Sequence, residues 1–195
     1  PNSGYSLFGQ IFHQFRDPSS FLRQYESRYL LYNILCRLRF VEPKVGSGHL
    51  KTENIEDIKS IISSSFAVIN PKIVCGILHL KQAAYLAIKA HEGNYNLAKE
   101  KSTEVLLYLT AQRQISKAIE IGGVNSDNKS IAWVSFGEIP KNLDNLIEFD
   151  DSIISYENFD YSTTKLNTAY LKKLNFEEKQ KIVMTRTATL PVQSR

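Results

Sequence analysis

Residues 103–119 read TEVLLYLTAQRQISKAI, and this stretch decides the predicted fold. Its first part, 103–109, is almost continuously apolar, which is typical of a strand covered on both faces. A short polar turn follows. Ile115, Ala118 and Ile119 then recur at the spacing expected for the inner face of a helix. The stretch therefore predicts a buried strand that leads through a turn into a helix.

A second apolar run, SIAWVSF at 130–136, follows this helix and predicts another buried strand. The order of strand 103–109, helix 113–121 and strand 130–136 is the layout of a short strand–helix–strand crossover. A crossover of this kind joins parallel strands in a right-handed sense. The sequence leaves both a parallel and an antiparallel placement of the two strands open.

The flanking sequence adds elements on both sides of this unit. Aromatic and β-branched runs, helix caps and turn residues predict the upstream elements: a strand at 5–13, a helix at 17–39, a loop at 42–51, a helix starting at Thr52, a strand at 66–69 and a helix at 75–91. The downstream elements are a short helical or irregular piece at 140–148, an edge strand at 149–154, and helices at 163–174 and 176–190. Asn175 followed by Glu178 is a capping signature for the last helix.

The order of these elements predicts an α/β fold of the layered α+β kind, with a mixed central β-sheet flanked by helices. The chain has 195 residues, a length that one domain accommodates. We therefore predict a single domain over residues 1–195, with Pro1–Gly4 left out of the fold prediction.

Composition sets limits on the function class. The net charge of +4 and the pI of about 9.0 permit a polyanionic partner without requiring one. Cys36 and Cys75 are too few for a disulfide framework and suit a reducing compartment, so we predict a cytoplasmic location. No apolar run approaches the about 18 residues of a membrane helix, and no secretory signal is visible, so no membrane partner is predicted.

Motifs that carry catalytic chemistry are missing from the sequence. There is no phosphate-binding P-loop, no dinucleotide-binding glycine pattern and no nucleophile elbow. Cys75 and His79 share one helix face, but further metal ligands at a suitable spacing are lacking. Asp150 and Asp151 are adjacent on a predicted strand and would point to opposite faces. We predict no catalytic residue, no metal and no cofactor, and hence a protein that is not an enzyme.

The basic residues are more suggestive. Lys99, Lys101, Arg113 and Lys117 lie near the two ends of the run 103–109. They could form one patch if the connector folds past the turn. Arg113 lies close to a helix N-terminus, where backbone N–H groups favour phosphate. The alternative is that these lysines are ordinary solvated side chains.

The stretch 103–119 also carries a family resemblance. Its apolar run, its short turn and the Arg-Gln-Ile that opens the next helix resemble the central motif of the small kinase-binding subunit of the KEOPS complex, in its archaeal form. Gly122-Gly123-Val124, the run 131–134, Asn70-Pro71 and His79-Leu80 occur in the order found in that family. The best match covers residues 66–136.

The resemblance implies a non-catalytic subunit that binds and regulates the small atypical protein kinase of KEOPS. That complex makes threonylcarbamoyladenosine on tRNA next to the anticodon, and archaeal members also bind the single-stranded acceptor 3′ end of tRNA. The residues it implies for RNA binding are Lys99, Lys101, Thr110, Gln112, Arg113, Gln114 and Lys117. For kinase binding they are Ile182, Val183, Met184 and Leu190. A small enzyme of unknown type and a purely structural scaffold remain as alternatives.

Overall fold

The structure is a computed structural model that describes residues 42–164, 171 and 173–190. The described residues belong to one compact unit. The described strands are β1 (Lys44–Leu50), β2 (Phe66–Ile69), β3 (Ser130–Ser135) and β4 (Ile147–Phe149). The described helices are α1 (Ile55–Ser60), α2 (Ile77–Glu92), α3 (Lys101–Thr110), α4 (Ile115–Gly122), α5 (Leu143–Leu146) and α6 (Phe176–Ala188). The 3₁₀ turns among the same residues lie at Pro71–Ile73, Asp151–Ile153 and Tyr161–Thr164.

The four strands form one sheet in the order β2-β3-β1-β4, and every neighbouring pair is antiparallel. Trp133 of β3 lies between Gly46 of β1 and Val68 of β2. The layered α+β class is therefore confirmed. The sheet was predicted to be mixed, but no two hydrogen-bonded neighbours among the described strands are parallel.

Both faces of the sheet are covered. One face carries an apolar cluster with α1 and α5, made of Ile58, Ile61, Phe66, Val68, Ile131, Trp133, Leu143 and Ile147. The alternate residues of β2 and β3, such as Ile69 and Val134, are also buried. They point the other way, because successive strand residues face opposite sides of a sheet. On that side α2 contacts β1, and α3 contacts β2.

The predicted strand at 103–109 is wrong, because these residues belong to helix α3. The helix packs against α2 and α4 as well as β2, and its residues from Glu104 to Thr110 are all buried. An apolar run that is buried on every side has no helical periodicity to distinguish it from a buried strand. Leucine, glutamate and lysine are good helix formers, and this preference agrees with the observed structure.

Glu104 connects α3 to the segment that precedes it. Its carboxylate accepts hydrogen bonds from the main-chain N–H groups of Leu97 at 3.0 Å and Ala98 at 2.6 Å. Burial raises the pKa of Glu104, and these two donors act in the opposite direction. A buried carboxylate with two N–H donors holds the connector against the start of the helix.

The predicted loop at 42–51 is also wrong, because most of it is strand β1. Gly46 and Gly48 indicated a loop, but in the structure they allow atoms of the neighbouring strands to come close to the β1 backbone. A Cβ atom on Gly46 would lie 2.7 Å from the Trp133 ring, and one on Gly48 would lie 2.5 Å from the Glu148 carbonyl oxygen. The predicted edge strand at 149–154 is shorter and earlier, as β4, and is followed by a 3₁₀ turn.

Most of the other predicted elements are confirmed. Strand β2 and helices α2 and α4 lie where the sequence places them, and β3 is confirmed to within one residue. Helix α1 begins after Asn54, whose side chain caps it, and not after Thr52. The capping box of Asn175 and Glu178 at the start of α6 is present. The predicted strand 5–13 and helix 17–39 lie outside the described residues, as does most of the predicted helix 163–174.

Candidate functional site

The turn between α3 and α4 is held in one conformation by its backbone. Ala111 ends α3 in the left-handed region, with φ 48° and ψ 43°. Its N–H donates to the Tyr108 carbonyl oxygen at 3.2 Å, and the N–H of Gln112 donates to that of Leu107 at 3.1 Å. These bonds satisfy carbonyl groups at the helix end and turn the chain sharply. The turn presents residues 112–114 at the start of α4.

Four of the predicted RNA-binding residues meet at this turn. Arg113, Gln114 and Lys117 are exposed, and Gln112 is half-buried. Gln114 is the N-cap residue of α4, and its side chain makes no capping hydrogen bond. The first N–H groups of a helix carry partial positive charge and attract anions. Arg113 and Lys117 therefore add full charges to a helix end that already favours phosphate.

Arg113 also has a structural contact. Its Nη1 donates to the carbonyl oxygen of Leu190, just beyond α6, at 3.4 Å. The guanidinium group has five N–H donors, so this long bond leaves others for a ligand. Any test of Arg113 in binding must therefore separate its charge from its role in holding the end of α6.

The remaining three predicted RNA-binding residues are placed differently. Thr110 is buried, and its hydroxyl donates to the Leu106 carbonyl oxygen at 2.7 Å, so its side chain does not reach solvent. Lys99 and Lys101 lie at the opposite end of α3 from the turn. Ten helical residues put about 14 Å between the two ends. The structure therefore brings four of the seven residues together.

The predicted kinase-binding residues on and after α6 divide into two pairs. Val183 and Leu190 are buried, so they belong to the core and are not available to a partner. Val183 packs with Cys75 and Phe159. Ile182 and Met184 are half-buried and present only part of their surface.

Helices α2 and α6 are joined by a buried histidine. The main-chain N–H of Cys75 donates to Nδ1 of His79 at 3.1 Å, which places the ring proton on Nε2. Nε2 then donates to Oγ1 of Thr187 at 2.9 Å. His79 is completely buried, and burial lowers its pKa to about 4. Thr187 is 108 residues away in sequence, so sequence spacing gives no signal for this contact.

The Cys75 side chain is also kept uncharged. Burial raises the pKa of this thiol to about 11, although a hydrogen bond with Tyr161 acts in the opposite direction. A nucleophilic cysteine needs a lowered pKa and a base that can take its proton. The two shifts are therefore opposite to those of a catalytic Cys–His pair. We find no cluster of metal-ligating side chains among the described residues.

An apolar surface that the sequence analysis missed lies at the outer side of β2. Ile119 of α4 is 48% exposed and Ile62, just after α1, is 42% exposed. They line a groove of about 280 Å³ with Val68 and Leu106 on its walls. Ile115 and Ile119 were predicted to face inward, but Ala118 alone of that predicted face is buried. The sequence carries one signal for this surface. On the predicted inner face of α4, the only residue besides Ile115 and Ile119 is Ala118, whose side chain is small.

The described residues include no helix that is both long and apolar enough to cross a membrane. A family model described as "Kinase binding protein CGI-121" matches residues 50–189, which is more than two thirds of the chain. No curated protein matches the chain.

Proposed function

The chain belongs to the CGI-121 family of kinase-binding proteins, and from this premise we propose that it is a non-catalytic, regulatory subunit of the KEOPS complex. In this proposal it binds the small atypical protein kinase of that complex in the cytoplasm. It also helps to recruit tRNA by its acceptor 3′ end, so that threonylcarbamoyladenosine can be made next to the anticodon.

The observation that carries the proposal is the extent of the family match. Residues 50–189 include every described helix, three of the four strands and the last residue of β1. The kinase-binding description therefore covers all of the described helices and most of the sheet, not an isolated motif. The buried, uncharged Cys75 and His79 are consistent with a subunit that contributes binding surface rather than chemistry.

The turn before α4 supports the proposed role in tRNA recruitment. Arg113 and Lys117 supply positive charge to phosphates, and the amide groups of Gln112 and Gln114 can donate and accept hydrogen bonds at the edges of unpaired bases. The uncapped N–H groups of α4 favour the same anionic backbone. Lys99 and Lys101, at the far end of α3, would contact a different part of the RNA backbone.

Binding of tRNA by the purified chain tests this role directly. We expect binding that weakens as salt rises, because phosphate contacts release counterions. Binding should be lost when the unpaired 3′ end is removed from the tRNA. Lys117→Ala removes one exposed cation from the cluster and should lower the slope of log K against log salt by about 1. Lys141→Ala makes the same charge change next to α5, away from the turn, and serves as the matched control.

Two further measurements separate charge from structure, and RNA binding from kinase binding. Arg113→Lys keeps the charge but alters the contact with Leu190, so a thermal melt shows whether a loss of affinity reflects a loosened chain. Calorimetric titration of the kinase subunit into the chain tests the kinase role alone. If tRNA fails to bind even at low salt while the kinase binds, RNA recruitment by the isolated chain is refuted and kinase binding stands.

A further inference from the structure

Strand β4 forms the edge of the sheet opposite β2. The N–H of Asp150 donates to the Ser47 carbonyl oxygen at 3.1 Å, and the N–H of Lys51 donates to that of Leu146 at 2.9 Å. In an antiparallel pair, alternate residues turn their main-chain groups toward the partner strand. Phe149 therefore turns its N–H and carbonyl oxygen away from β1, and neither group has a main-chain partner within the described part of the chain.

The side chains along this edge are open to solvent. Phe149 is 51% exposed, and Glu148 before it and Asp151 and Ser152 after it are exposed as well. The Phe149 ring meets the Trp133 ring edge-on, with 6.2 Å between the ring centroids, so it is held against the sheet. An unpaired strand edge is a template for an added strand, and here an exposed aromatic ring lies beside the unpaired groups.

The charge at this edge is negative, although the whole chain carries a net charge of +4. Hydrogen bonds from Ser152 lower the pKa of Asp150, so its carboxylate is charged at neutral pH. Nε2 of His49 lies 3.4 Å from this carboxylate, and Nζ of Lys51 donates to a main-chain carbonyl oxygen of α5 at 2.9 Å. Residues 142–164 contain no lysine or arginine, and their acidic residues are Asp144, Glu148, Asp150, Asp151, Glu157 and Asp160.

The alternation of side chains along β4 separates the apolar from the acidic surface. Successive strand residues point to opposite faces, so Glu148 and Asp150 share one face of the sheet and Phe149 lies on the other. A strand that pairs with Phe149 would place its two neighbouring side chains opposite Glu148 and Asp150. Opposite charges stabilise such cross-strand pairs, and like charges destabilise them. The edge therefore favours a segment in which a basic, an apolar and a basic residue follow one another.

Two other occupants fit this edge less well. A second copy of the chain, paired about a twofold axis at Phe149, would place Glu148 of one copy opposite Asp150 of the other, and these like charges repel. RNA would bring its phosphates toward the carboxylates. Helix α3, which leads into the basic turn, contacts β2 at the opposite edge of the sheet. The turn and the β4 edge are thus separate surfaces of opposite charge.

We propose that the edge of β4 binds an extended basic segment of a partner protein. The segment exchanges main-chain hydrogen bonds with Phe149, packs an apolar side chain beside the Phe149 ring, and directs a lysine or arginine to each of Glu148 and Asp150. A segment of a few residues is sufficient, because β4 itself has three. The proposal goes beyond the proposed function and does not depend on it, so either can fail while the other stands.

Titration of the isotope-labelled chain with the synthetic peptide Thr-Val-Lys-Val-Lys-Val-Thr, followed by nuclear magnetic resonance, tests the pairing. The amide signal of Phe149 should shift saturably, and this amide should exchange its hydrogen about tenfold more slowly, because the peptide accepts its hydrogen bond. The same peptide with glutamate in place of lysine should not bind. Methylation of the central valine nitrogen removes the donor to the Phe149 carbonyl oxygen and should weaken binding about tenfold.

Variants of the chain test the side-chain contacts. Phe149→Thr keeps a good strand former and removes the ring, and it should weaken peptide binding about tenfold. Glu148→Gln removes one cross-strand charge and should weaken binding by about threefold to fivefold. Glu120→Gln makes the same charge change on an exposed residue of α4 and should leave the affinity within about twofold. The altered side chains are exposed, so circular dichroism should show an unchanged fold.

Three results would overturn the proposal. The first is the absence of a saturable shift at Phe149 with millimolar peptide, or equal binding of the methylated peptide, since attraction by charge alone needs no main-chain pairing. The second is a dimer of the free chain in sedimentation that Phe149→Thr breaks, which would assign the edge to self-association. The third is a stronger shift of the Phe149 amide with single-stranded RNA than with the peptide, which would assign the edge to RNA.

Discussion

Replacing His79 with glutamine should remove a strong pH dependence from the stability of this chain. In the folded chain Nδ1 of His79 accepts from Cys75 and Nε2 donates to Thr187, and the ring is completely buried. A second proton would turn Nδ1 into a donor and break the bond from Cys75, and it would place a charge away from water. Glutamine offers an acceptor and a donor as well, but it does not titrate.

The direction of this pH dependence follows from the lowered pKa of His79. Burial lowers the pKa of His79 to about 4 from its ordinary value of 6.5. Between these two pH values the unfolded chain binds a proton that the folded chain rejects, so acid favours unfolding. The contribution of neutral His79 is complete above pH 6.5 and is lost as the pH falls toward 4. The two pKa values correspond to about 3 kcal/mol in total, of which about 2 kcal/mol is lost by pH 5.

Urea denaturation followed by far-ultraviolet circular dichroism at pH 8 and pH 5 measures this effect. The difference in unfolding free energy between the unmodified chain and His79→Gln should shift by about 2 kcal/mol between the two pH values, in favour of the variant at pH 5. If the difference stays constant within about 0.5 kcal/mol, His79 is not held neutral by burial and the reasoning is refuted. Thr187→Val should cost about 1–3 kcal/mol at pH 8, because it leaves the Nε2–H group of His79 buried without an acceptor.

Two further predictions concern α3. Ala111→Gly should stabilise the chain by up to about 1 kcal/mol, because a left-handed φ of 48° is unfavourable for any residue with a Cβ atom. A calorimetric melting temperature raised by about 2–4 °C would confirm this prediction, and a lowered melting temperature would contradict it. Glu104→Ala should destabilise the chain by about 1–3 kcal/mol, because the N–H groups of Leu97 and Ala98 lose their acceptor, and the Ala98 amide should then exchange faster. Unchanged protection of that amide would show that Glu104 does not hold the connector.

The sequence predicts the elements whose signals are local. The amphipathic pattern of α2, the capping box before α6 and the turn at the start of α4 depend on residues within a few positions of one another, and all are observed. The conformations of helix α3 and strand β1, in contrast, depend on the residues that pack around them. The run 103–109 is buried on all sides, so its pattern lacks a period. Gly46 and Gly48 resemble loop residues until Trp133 and Glu148 are placed against them.

The residues of the candidate site also differ in whether local sequence or tertiary packing determines their placement. Arg113, Gln114 and Lys117 lie at a helix start that the sequence predicts, and all three are exposed. Thr110 is only one residue from the turn, but the packing of α4 against α3 buries it, and a contact of this kind has no sequence signature. Val183 and Leu190 are apolar residues that suit a core or an interface equally well. The groove between Ile62 and Ile119 emerges only from the packing of α1, α3 and α4 around β2, which no single stretch of sequence specifies.

Trp133 gives this chain a built-in optical reporter. It is the only tryptophan in the sequence, and its ring stacks near Phe66 and lies above Gly46, in the middle strands of the sheet. Tryptophan fluorescence therefore follows the sheet alone, whereas circular dichroism is dominated by the helices. If the two signals change at the same urea concentration, sheet and helices unfold as one cooperative unit. Two separate midpoints would mean that one layer can open while the other persists.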